Sequence, residues 1–415
     1  MTCRRLLASA AAATAVWAAV PAAEAATSCM PPTGPAEFQR VTPEQVDLDG
    51  AKVRSATRFM TSRLALSVRV YRHGCLAATS ALDPYTQHSR NNIWSATKGV
   101  TSLLTGRAIT QGKLGLDDPI AKYFPEADAA HGRITVRQLL TQTSGLRFAW
   151  ISDILAPDTV RYTLSLPFDH EPGTYFEYAQ TTVTLLAAVV QRAVGEDLQT
   201  YAQRELFDPL GIPRNHWNWS RDARGQTQGY AFLFMPPKHL GRFGQLMLQE
   251  GAWHGRQLVD AAYIRELSAA TPTNGGYGFL AWTNAGGSMI TATAPSRRVL
   301  DEPFITSAPA DTYAFVGFMG QLIVVIPSLD MVIVRTGFPG NTNPDLHSLL
   351  TSKEGDMDYE GMRRLMQAVK DVDIPDPGPY TRVRRFEGFE ISNWLDLKTL
   401  QLAVLPPGCT LWRCR

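Results

Sequence analysis

Residue patterns typical of β-strands stand near both ends of this 415-residue chain. Residues 67–72 (SVRVYR) alternate with period two, as a half-buried strand does. Residues 322–326 (LIVVI) and 331–334 (MVIV) read as two strands joined by the turn PSLD. Residues from 95 to about 270 look mostly helical and loop-like. This order predicts one sheet built from the two ends of the chain with a helical region inserted, and not a doubly wound parallel sheet.

A helical pattern and an irregular stretch follow the last strand candidates. Met362, Leu365, Met366 and Val369 recur at i, i+3, i+4 and i+7, which predicts an amphipathic helix. From Ile374 onward the sequence is rich in proline and punctuated by glycine, so we expect an irregular tail. The predicted divisions are 1–25 (signal segment), 26–373 (main domain, with the sheet from about 40–90 and 285–373 and the helical region from about 91–284) and 374–415 (tail).

The first residues have the features of a secretory signal peptide. Arg4 and Arg5 precede an uncharged run over 6–20, and residues 23–25 (AEA) form an A-x-A cleavage site. The run is too short for a bilayer span, which needs about 20 residues, and no later segment is long and apolar enough. We therefore expect a periplasmic or secreted protein without a membrane span. The alternative is that Cys29 is lipidated, although the residues before it lack the usual large aliphatic side chain.

The cysteine spacing and the charge balance bear on possible partners. Beyond the signal segment the chain has Cys29, Cys75, Cys409 and Cys414, which allow three pairings. We favour Cys29–Cys75 and Cys409–Cys414, and the alternative is free thiols. No Cys-x-x-Cys or His-Glu-x-x-His spacing occurs, so we expect no metal and no cofactor. The net charge of +2 gives no electrostatic reason to expect nucleic acid binding.

One short stretch combines a hydroxyl with an amine. Ser95 and Lys98 stand in WSATK, and Val100, Leu103 and Leu104 follow at helical spacing, which places the serine at a helix start. Residues i and i+3 share a helix face, about 5–6 Å apart between Cβ atoms, so the amine can reach the hydroxyl. A serine nucleophile needs a base, and a lysine serves only if burial makes it neutral. Taken alone, the pattern fits equally a capping serine and a solvated lysine.

Six segments of the chain share an order and spacing with a known family. Residues 92–98 read NIWSATK, and residues 176–180 read FEYAQ. The other segments are 112–119 (GKLGLDDP), 134–146 (ITVRQLLTQTSGL), 206–212 (LFDPLGI) and 277–282 (YGFLAW). Together they resemble the serine β-lactamase and penicillin-binding-protein superfamily, in particular its class C branch. The first segment is similar to the active-serine segment of that family, and the second to its Tyr-x-Asn element.

The resemblance implies an α/β (α+β) fold of the β-lactamase/transpeptidase type, with an antiparallel sheet flanked by helices. It also implies that Ser95 is the nucleophile and that Lys98 and Tyr178 move protons. We expect a lysine ammonium to lower the pKa of Tyr178 towards phenolate, so that the tyrosine can take the serine proton. The alternative is a tyrosine that only packs in the core. Gln180 stands where the family has asparagine, and we expect it to contact the substrate.

The third element of the family, Lys-Thr-Gly or a variant of it, has its best match in Phe315-Val316-Gly317. A glycine suits a backbone that approaches substrate closely, so we expect Phe315 and Gly317 to bind substrate. The main-chain N–H groups of Ser95 and Phe318 would form the oxyanion hole. The missing lysine removes a charge-assisted bond to a substrate carboxylate, worth about 1.5–3 kcal/mol, which favours uncharged esters or amides.

Other side chains could complete the substrate cleft. Arg297 or Arg298 could supply the missing cation from a nearby loop. Trp150 follows the Ser-Gly-Leu segment on a loop, and we expect it to line the cleft and favour an apolar group. Trp217 and Trp219 lie further along the chain. Tryptophans more often pack in the core than line a cleft.

These features together predict an exported serine hydrolase that cleaves a small ester or amide through an acyl-enzyme on Ser95. The expected branch resembles the esterases and the 6-aminohexanoate oligomer hydrolases. The alternatives are a β-lactamase, a D-amino-acid peptidase or a non-catalytic cell-wall-binding homologue. The expected partner is the small-molecule substrate, and the sequence leaves the oligomeric state open.

Overall fold

The computed structural model describes residues 25–293, 297–338, 356–381 and 390–405. In chain order the strands are β1 (Ala65–Arg72), β2 (Cys75–Thr79), β3 (Asn91–Asn92), β4 (Asn218–Trp219), β5 (Leu233–Met235), β6 (Ala252–Trp253), β7 (Arg256–Gln257), β8 (Trp282–Thr283), β9 (Met289–Ile290), β10 (Val299–Leu300), β11 (Tyr313–Gly317), β12 (Gln321–Ile326) and β13 (Met331–Gly337). The helices are α1 (Gly50–Ser62), α2 (Asp83–Thr86), α3 (Thr97–Thr110), α4 (Val136–Leu140), α5 (Trp150–Leu155), α6 (Thr159–Thr163), α7 (Thr181–Val194), α8 (Leu198–Ala202), α9 (Pro237–Leu248), α10 (Ala261–Ser268), α11 (Asp356–Met366), α12 (Ile391–Trp394) and α13 (Leu397–Val404).

The largest sheet joins the two ends of the chain. Its strand order is β2-β1-β13-β12-β11-β8, and every neighbouring pair is antiparallel. The pairing of β1 with β13 confirms that the N- and C-terminal segments form one antiparallel sheet. The predicted turn between β12 and β13 is also present. The edge strand β8 lies at the end of the region from about 91–284. That region is mostly helical and loop-like, as predicted, and it also holds the short strands β3 to β7.

Strand β1 is buried on both faces, whereas its alternating sequence predicted a half-buried strand. Only Leu66 is partly exposed among its eight residues. Helices α1 and α9 both pack against this strand. Arg72 tolerates burial because its guanidinium donates to the main-chain carbonyls of Val46 and Asp47 and pairs with the Asp371 carboxylate at 2.6 Å. A buried charge of this kind needs several acceptors, which the sequence pattern does not reveal.

The start of helix α3 lies where the helical region meets the sheet. Residues 97–108 of this helix are all buried, between α7 and the sheet strand β11. A Cβ atom on Gly99 would lie 2.1 Å from the Phe315 ring, so the helix approaches β11 closely at this glycine. A Cβ atom on Gly317, at the end of β11, would lie 2.1 Å from the main-chain oxygen of Ile93. The backbone just before α3 therefore rests directly on the end of β11.

The tail after Ile374 is not irregular throughout, which corrects the prediction from its composition. Helices α12 and α13 pack against α5, and α13 also contacts α6. The amphipathic helix predicted from Met362 is α11, which ends at Met366, so Val369 lies beyond it.

A disulfide joins Cys29 to Cys75, as predicted, and ties the N-terminal arm to β2. Because the Cys29 sulfur is bonded in this way, the alternative of a lipidated Cys29 does not agree with the structure. The predicted pair Cys409–Cys414 and nearly all of the predicted signal segment lie outside the described residues. Among the described residues, no helix is both long and apolar enough to cross a bilayer.

Removing the disulfide should destabilise the protein by restoring freedom to the unfolded chain. The bridge closes a loop with a sequence separation of 46, and loss of such a bridge costs about 2–4 kcal/mol. We expect the double variant Cys29→Ala/Cys75→Ala to unfold at lower urea concentration than the oxidised wild type. A reductant should lower the wild-type midpoint to that of the double variant and leave the variant unchanged. An identical midpoint for the variant and the oxidised wild type would contradict this.

Gly317→Ala should destabilise the junction between β11 and α3. The new methyl group would overlap the Ile93 carbonyl oxygen, and forced backbone shifts of this kind cost about 1–3 kcal/mol. The matched control is Gly132→Ala, where the nearest atom is the Ala121 methyl group at 3.1 Å. Urea denaturation should show a loss of stability for Gly317→Ala that clearly exceeds that of the control. Equal effects would mean that the strand end tolerates a side chain.

Candidate active site

Ser95 lies in a single 3-10 turn, Trp94–Ala96, that leads directly into α3. The preceding residue, Trp94, has φ +49°, a left-handed conformation that is uncommon for a bulky side chain. The Asn92 carboxamide oxygen holds this turn by accepting the Trp94 N–H at 2.9 Å. Such strain persists only where the surroundings enforce it, and it clusters at functional sites. The turn therefore fixes the direction of the serine hydroxyl at the helix start.

Lys98 lies in the first turn of α3 and is 1% exposed. Its amine contacts three oxygens: Ser95 Oγ at 3.1 Å, Gln180 Oε1 at 2.6 Å and the Tyr230 main-chain oxygen at 3.2 Å. Burial lowers the pKa of Lys98 well below its ordinary value, and the charge of Asp153 acts in the opposite direction. A neutral amine has two N–H donors and one lone pair. The two carbonyl oxygens can take both donors, which leaves the lone pair for the Ser95 hydroxyl.

Tyr178 completes the group of three predicted catalytic residues. Its ring centre lies 4.6 Å from Lys98 Nζ. Burial raises the pKa of Tyr178 to about 12, although the neighbouring polar groups of Ser95 and Trp282 oppose the shift. The expected phenolate is therefore wrong for the resting site, because burial disfavours both the phenolate and the ammonium that was expected to stabilise it. The hydroxyl, the amine and the phenol meet at one point.

Two residues predicted to bind substrate make other contacts. Gln180 is buried, and its side-chain oxygen accepts a hydrogen bond from Lys98. The Phe315 side chain is 1% exposed and packs on Gly99 of α3. The first therefore positions the lysine and the second supports the helix beneath it. Gly317 acts through its backbone, since it lets β11 approach the turn that carries Ser95.

The remaining predicted residues lie on two sides of this group. The Phe318 ring contacts the Trp94 ring edge to face at 5.4 Å, which places the β11–β12 loop beside the turn of Ser95. Trp150 is partly exposed at the start of α5, and its ring contacts Trp394 of α12 at 5.1 Å. Trp150 therefore packs against the C-terminal segment. The more distant tryptophans of the sequence analysis, Trp217 and Trp219, are buried in the core.

A buried carboxylate, Asp153 of α5, lies behind the lysine and was not singled out from the sequence. One of its oxygens accepts the main-chain N–H groups of Gln180 at 3.1 Å and Thr181 at 3.3 Å, at the start of α7. The other accepts the Tyr162 hydroxyl at 3.3 Å. Burial raises the pKa of Asp153 to about 7, while these hydrogen bonds and the charge of Lys98 act against the shift. No motif marks this residue, because its role depends on a tertiary contact with α7.

A second acidic group adjoins Tyr178 in the chain. Glu177 accepts a hydrogen bond from Thr293, and burial raises its pKa to about 7. Arg297, one of the two arginines considered as a substitute cation, lies over the Tyr175 ring at 4.4 Å and opposes this shift through its charge. Arg297 is thus placed beside the loop that carries Tyr178.

In the part of the chain that the structure describes, one group of three residues could share a metal ion. Potential ligand atoms of Asp47, His73 and Asp371 lie within 4.8 Å of one another. Arg72 already donates two hydrogen bonds to the Asp371 carboxylate, at 2.6 and 2.9 Å. These residues are separate from the group around Ser95.

Comparison with known proteins agrees with the fold. The Beta-lactamase family model matches residues 53–343. Esterase EstB of Burkholderia gladioli is 28% identical over 200 residues, which are 42% of this chain and 48% of that protein. A beta-lactamase of Escherichia coli (strain K12) is 30% identical over 158 residues, which are 37% of this chain and 41% of that protein. The chain thus matches less than half the length of either relative.

A solved structure gives the same result for the architecture. A putative 6-aminohexanoate-dimer hydrolase from Bacillus anthracis superposes with a TM-score of 0.58 at 16% identity, covering 76% of this chain and 86% of that one. This likeness concerns the fold, namely an antiparallel sheet with helices around it. Because the family model spans more than half of its residues, the chain belongs to the beta-lactamase family.

Proposed function

We propose that this protein is a serine hydrolase that cleaves ester or amide bonds through an acyl-enzyme on Ser95. The observation that carries the proposal is the contact of Ser95 Oγ with Lys98 Nζ at 3.1 Å, with the Tyr178 ring centred 4.6 Å from the same amine. A buried amine of lowered pKa is a base, and a buried phenol of raised pKa is a proton donor. The similarity to a relative named as an esterase supports the same reaction class.

The first half of the reaction forms the acyl-enzyme. Neutral Lys98 takes the hydroxyl proton of Ser95 as Oγ bonds to the substrate carbonyl carbon. The resulting oxyanion accepts the main-chain N–H groups of Ser95 and Phe318, and each such donor contributes about 10²–10³ in rate. Tyr178 gives its proton to the departing alcohol or amine as the carbonyl–heteroatom bond breaks, and the Lys98 ammonium reprotonates the phenolate.

The second half returns the site to its starting state. Water attacks the acyl carbon, and Lys98 takes one proton of that water, directly or through Tyr178. The bond from the acyl carbon to Ser95 Oγ breaks as the serine recovers a proton. The carboxylic acid product leaves, and the Lys98 amine is again neutral.

The substrate that fits best is an uncharged ester or amide. The segment at the end of β11 reads Phe315-Val316-Gly317 and has no lysine to pair with a substrate carboxylate. Arg297, one of the two arginines that could replace the missing cation, lies over the Tyr175 ring at 4.4 Å. Relatives named as a beta-lactamase and as a putative D-alanyl-D-alanine carboxypeptidase support a second candidate, a β-lactam or D-amino-acid peptide substrate. We further propose that the protein works outside the cytoplasm, since its disulfide is typical of oxidising compartments.

Turnover of a p-nitrophenyl ester should depend on Ser95. We expect Ser95→Ala to lower kcat/KM by at least about 10³-fold, because no other group replaces the nucleophile. Ser89→Ala, at an exposed serine nearby, should leave the rate unchanged. A chromogenic cephalosporin in the same assay separates the two substrate classes, and we expect slow turnover of it. Full ester turnover by Ser95→Ala would overturn the mechanism, and faster hydrolysis of the cephalosporin than of the ester would favour the second candidate.

The pH dependence of kcat/KM should follow the amine and not the phenol. Rate should rise with pH as Lys98 loses its proton, and the rise should be complete well below pH 10 because burial lowers the pKa of Lys98. No loss from ionisation of Tyr178 should occur until about pH 12. Tyr178→Phe should lower kcat by about 10²–10⁴-fold and leave the acid side of the profile in place. If kcat/KM of Tyr178→Phe no longer increased with pH, the titrating group would be the tyrosine and not the lysine.

A further inference from the structure

The C-terminal segment packs against the helix that carries Asp153. The Trp394 ring of α12 contacts the Trp150 ring at 5.1 Å. The Thr399 hydroxyl of α13 is hydrogen-bonded to the Ser152 hydroxyl at 2.9 Å, and both side chains are fully buried. The segment thus covers α5 at the residue next to Asp153.

The way in which α13 packs is unusual for an amphipathic helix. Its fully buried side chains are Thr399 and Ala403, whereas Leu397 is 61% and Val404 46% exposed. A helix that docks only to bury apolar surface turns its largest apolar residues inward. Here the most deeply buried residues are a threonine and an alanine, and the threonine hydroxyl meets the buried Ser152 hydroxyl of α5.

These hydroxyl groups lie beside a chain of hydrogen bonds that leads to the lysine. The Tyr162 hydroxyl donates to Asp153 at 3.3 Å, and the Ser152 and Thr399 hydroxyls are close enough to act on the pKa of Tyr162 in the lowering direction. Asp153 accepts the main-chain N–H of Gln180 at 3.1 Å. The side-chain oxygen of the same Gln180 accepts a hydrogen bond from the Lys98 amine at 2.6 Å. The tail therefore borders the buried polar network that leads from Tyr162 through Asp153 and Gln180 to the amine.

Few charged groups face the Asp153 carboxylate. Lys98 of α3 acts on it as the opposite charge, and the acidic Glu177 and the phenols of Tyr162 and Tyr230 are also within its influence. On the segment that covers α5, Lys398 is exposed, and Asp396 caps α13 by accepting the Thr399 N–H at 2.8 Å. Neither of these last two is part of the buried network.

We propose that α12 and α13 are a positioning element of the active site, which keeps water away from Asp153 so that this carboxyl group sets the proton affinity of Lys98. The proposal rests on the proposed function, in which the lysine is the base. A dry carboxyl group holds its proton to higher pH, and this weakens, without abolishing, the attraction that it exerts on the Lys98 ammonium. Water that reached Asp153 would let it ionise at lower pH, and the carboxylate would then stabilise the Lys98 ammonium and delay loss of its proton.

The test compares four full-length variants through the pH profile of ester hydrolysis. Ala403→Arg places a large charged side chain in the buried contact of α13, and Val404→Arg adds the same charge at the exposed neighbour. We expect Ala403→Arg to raise the pH at which kcat/KM reaches half of its maximum by about one unit, and Val404→Arg to leave that pH unchanged. Asp153→Asn removes the carboxylate and should lower that pH. The double variant Asp153→Asn/Ala403→Arg should show no upward movement, because that movement requires the carboxylate.

A second measurement reports the charge of Lys98 without any catalysis. In protein labelled with ¹³C-lysine, the resonance that disappears in Lys98→Met belongs to this residue, and its titration gives the pKa of the amine. The pKa should fall in Asp153→Asn and rise in Ala403→Arg. If the wild type hydrolysed no ester, the proposed function would be contradicted. The titration of Lys98 would still test whether Asp153 and α13 control the pKa of the amine. Identical lysine titrations in wild type and Asp153→Asn, or a slower Ala403→Arg enzyme with an unmoved pH profile, would overturn the proposal.

Discussion

An amine that is cut off from water is the constraint on which the rest of the site depends. Lys98 is 1% exposed and, among the residues that the structure describes, its amine contacts three oxygens, one of which belongs to Ser95. An ammonium in such a position lacks the solvation that makes it stable in water. Its proton is therefore weakly held, and the few dipoles and charges around it decide where that proton goes. Every other feature of the site supplies, holds or shields one of those neighbours.

The parts of this arrangement that follow local rules could be predicted from the sequence. The contact of Ser95 with Lys98 follows from the i, i+3 geometry of a helix start. The joining of both chain ends in one sheet follows from the strand patterns of β1, β12 and β13. Tyr178 could be predicted only by resemblance, because no local rule relates it to a serine far away in the chain.

The parts that depend on burial could not be predicted. The Tyr178 phenol is harder to ionise than expected because desolvation outweighs the influence of the polar groups around it. Gln180 was placed correctly in the chain, but its contact is with the lysine. Asp153 stands in an unremarkable helical stretch, and it acquires its role only when α5 docks against the start of α7. The helices α12 and α13 were also missed, because the proline and glycine elsewhere in the tail led to the prediction of an irregular segment.

The order of strands in the main sheet also affects how the protein is made. Strand β1 lies between β2 and β13, so the edge that faces β13 has no partner until residues 331–337 leave the ribosome. Pairs so distant in sequence carry a large cost of loop closure, and folds rich in them form slowly. Synthesis must therefore reach β13 before the sheet is complete, and until then a nascent chain lacks its central scaffold.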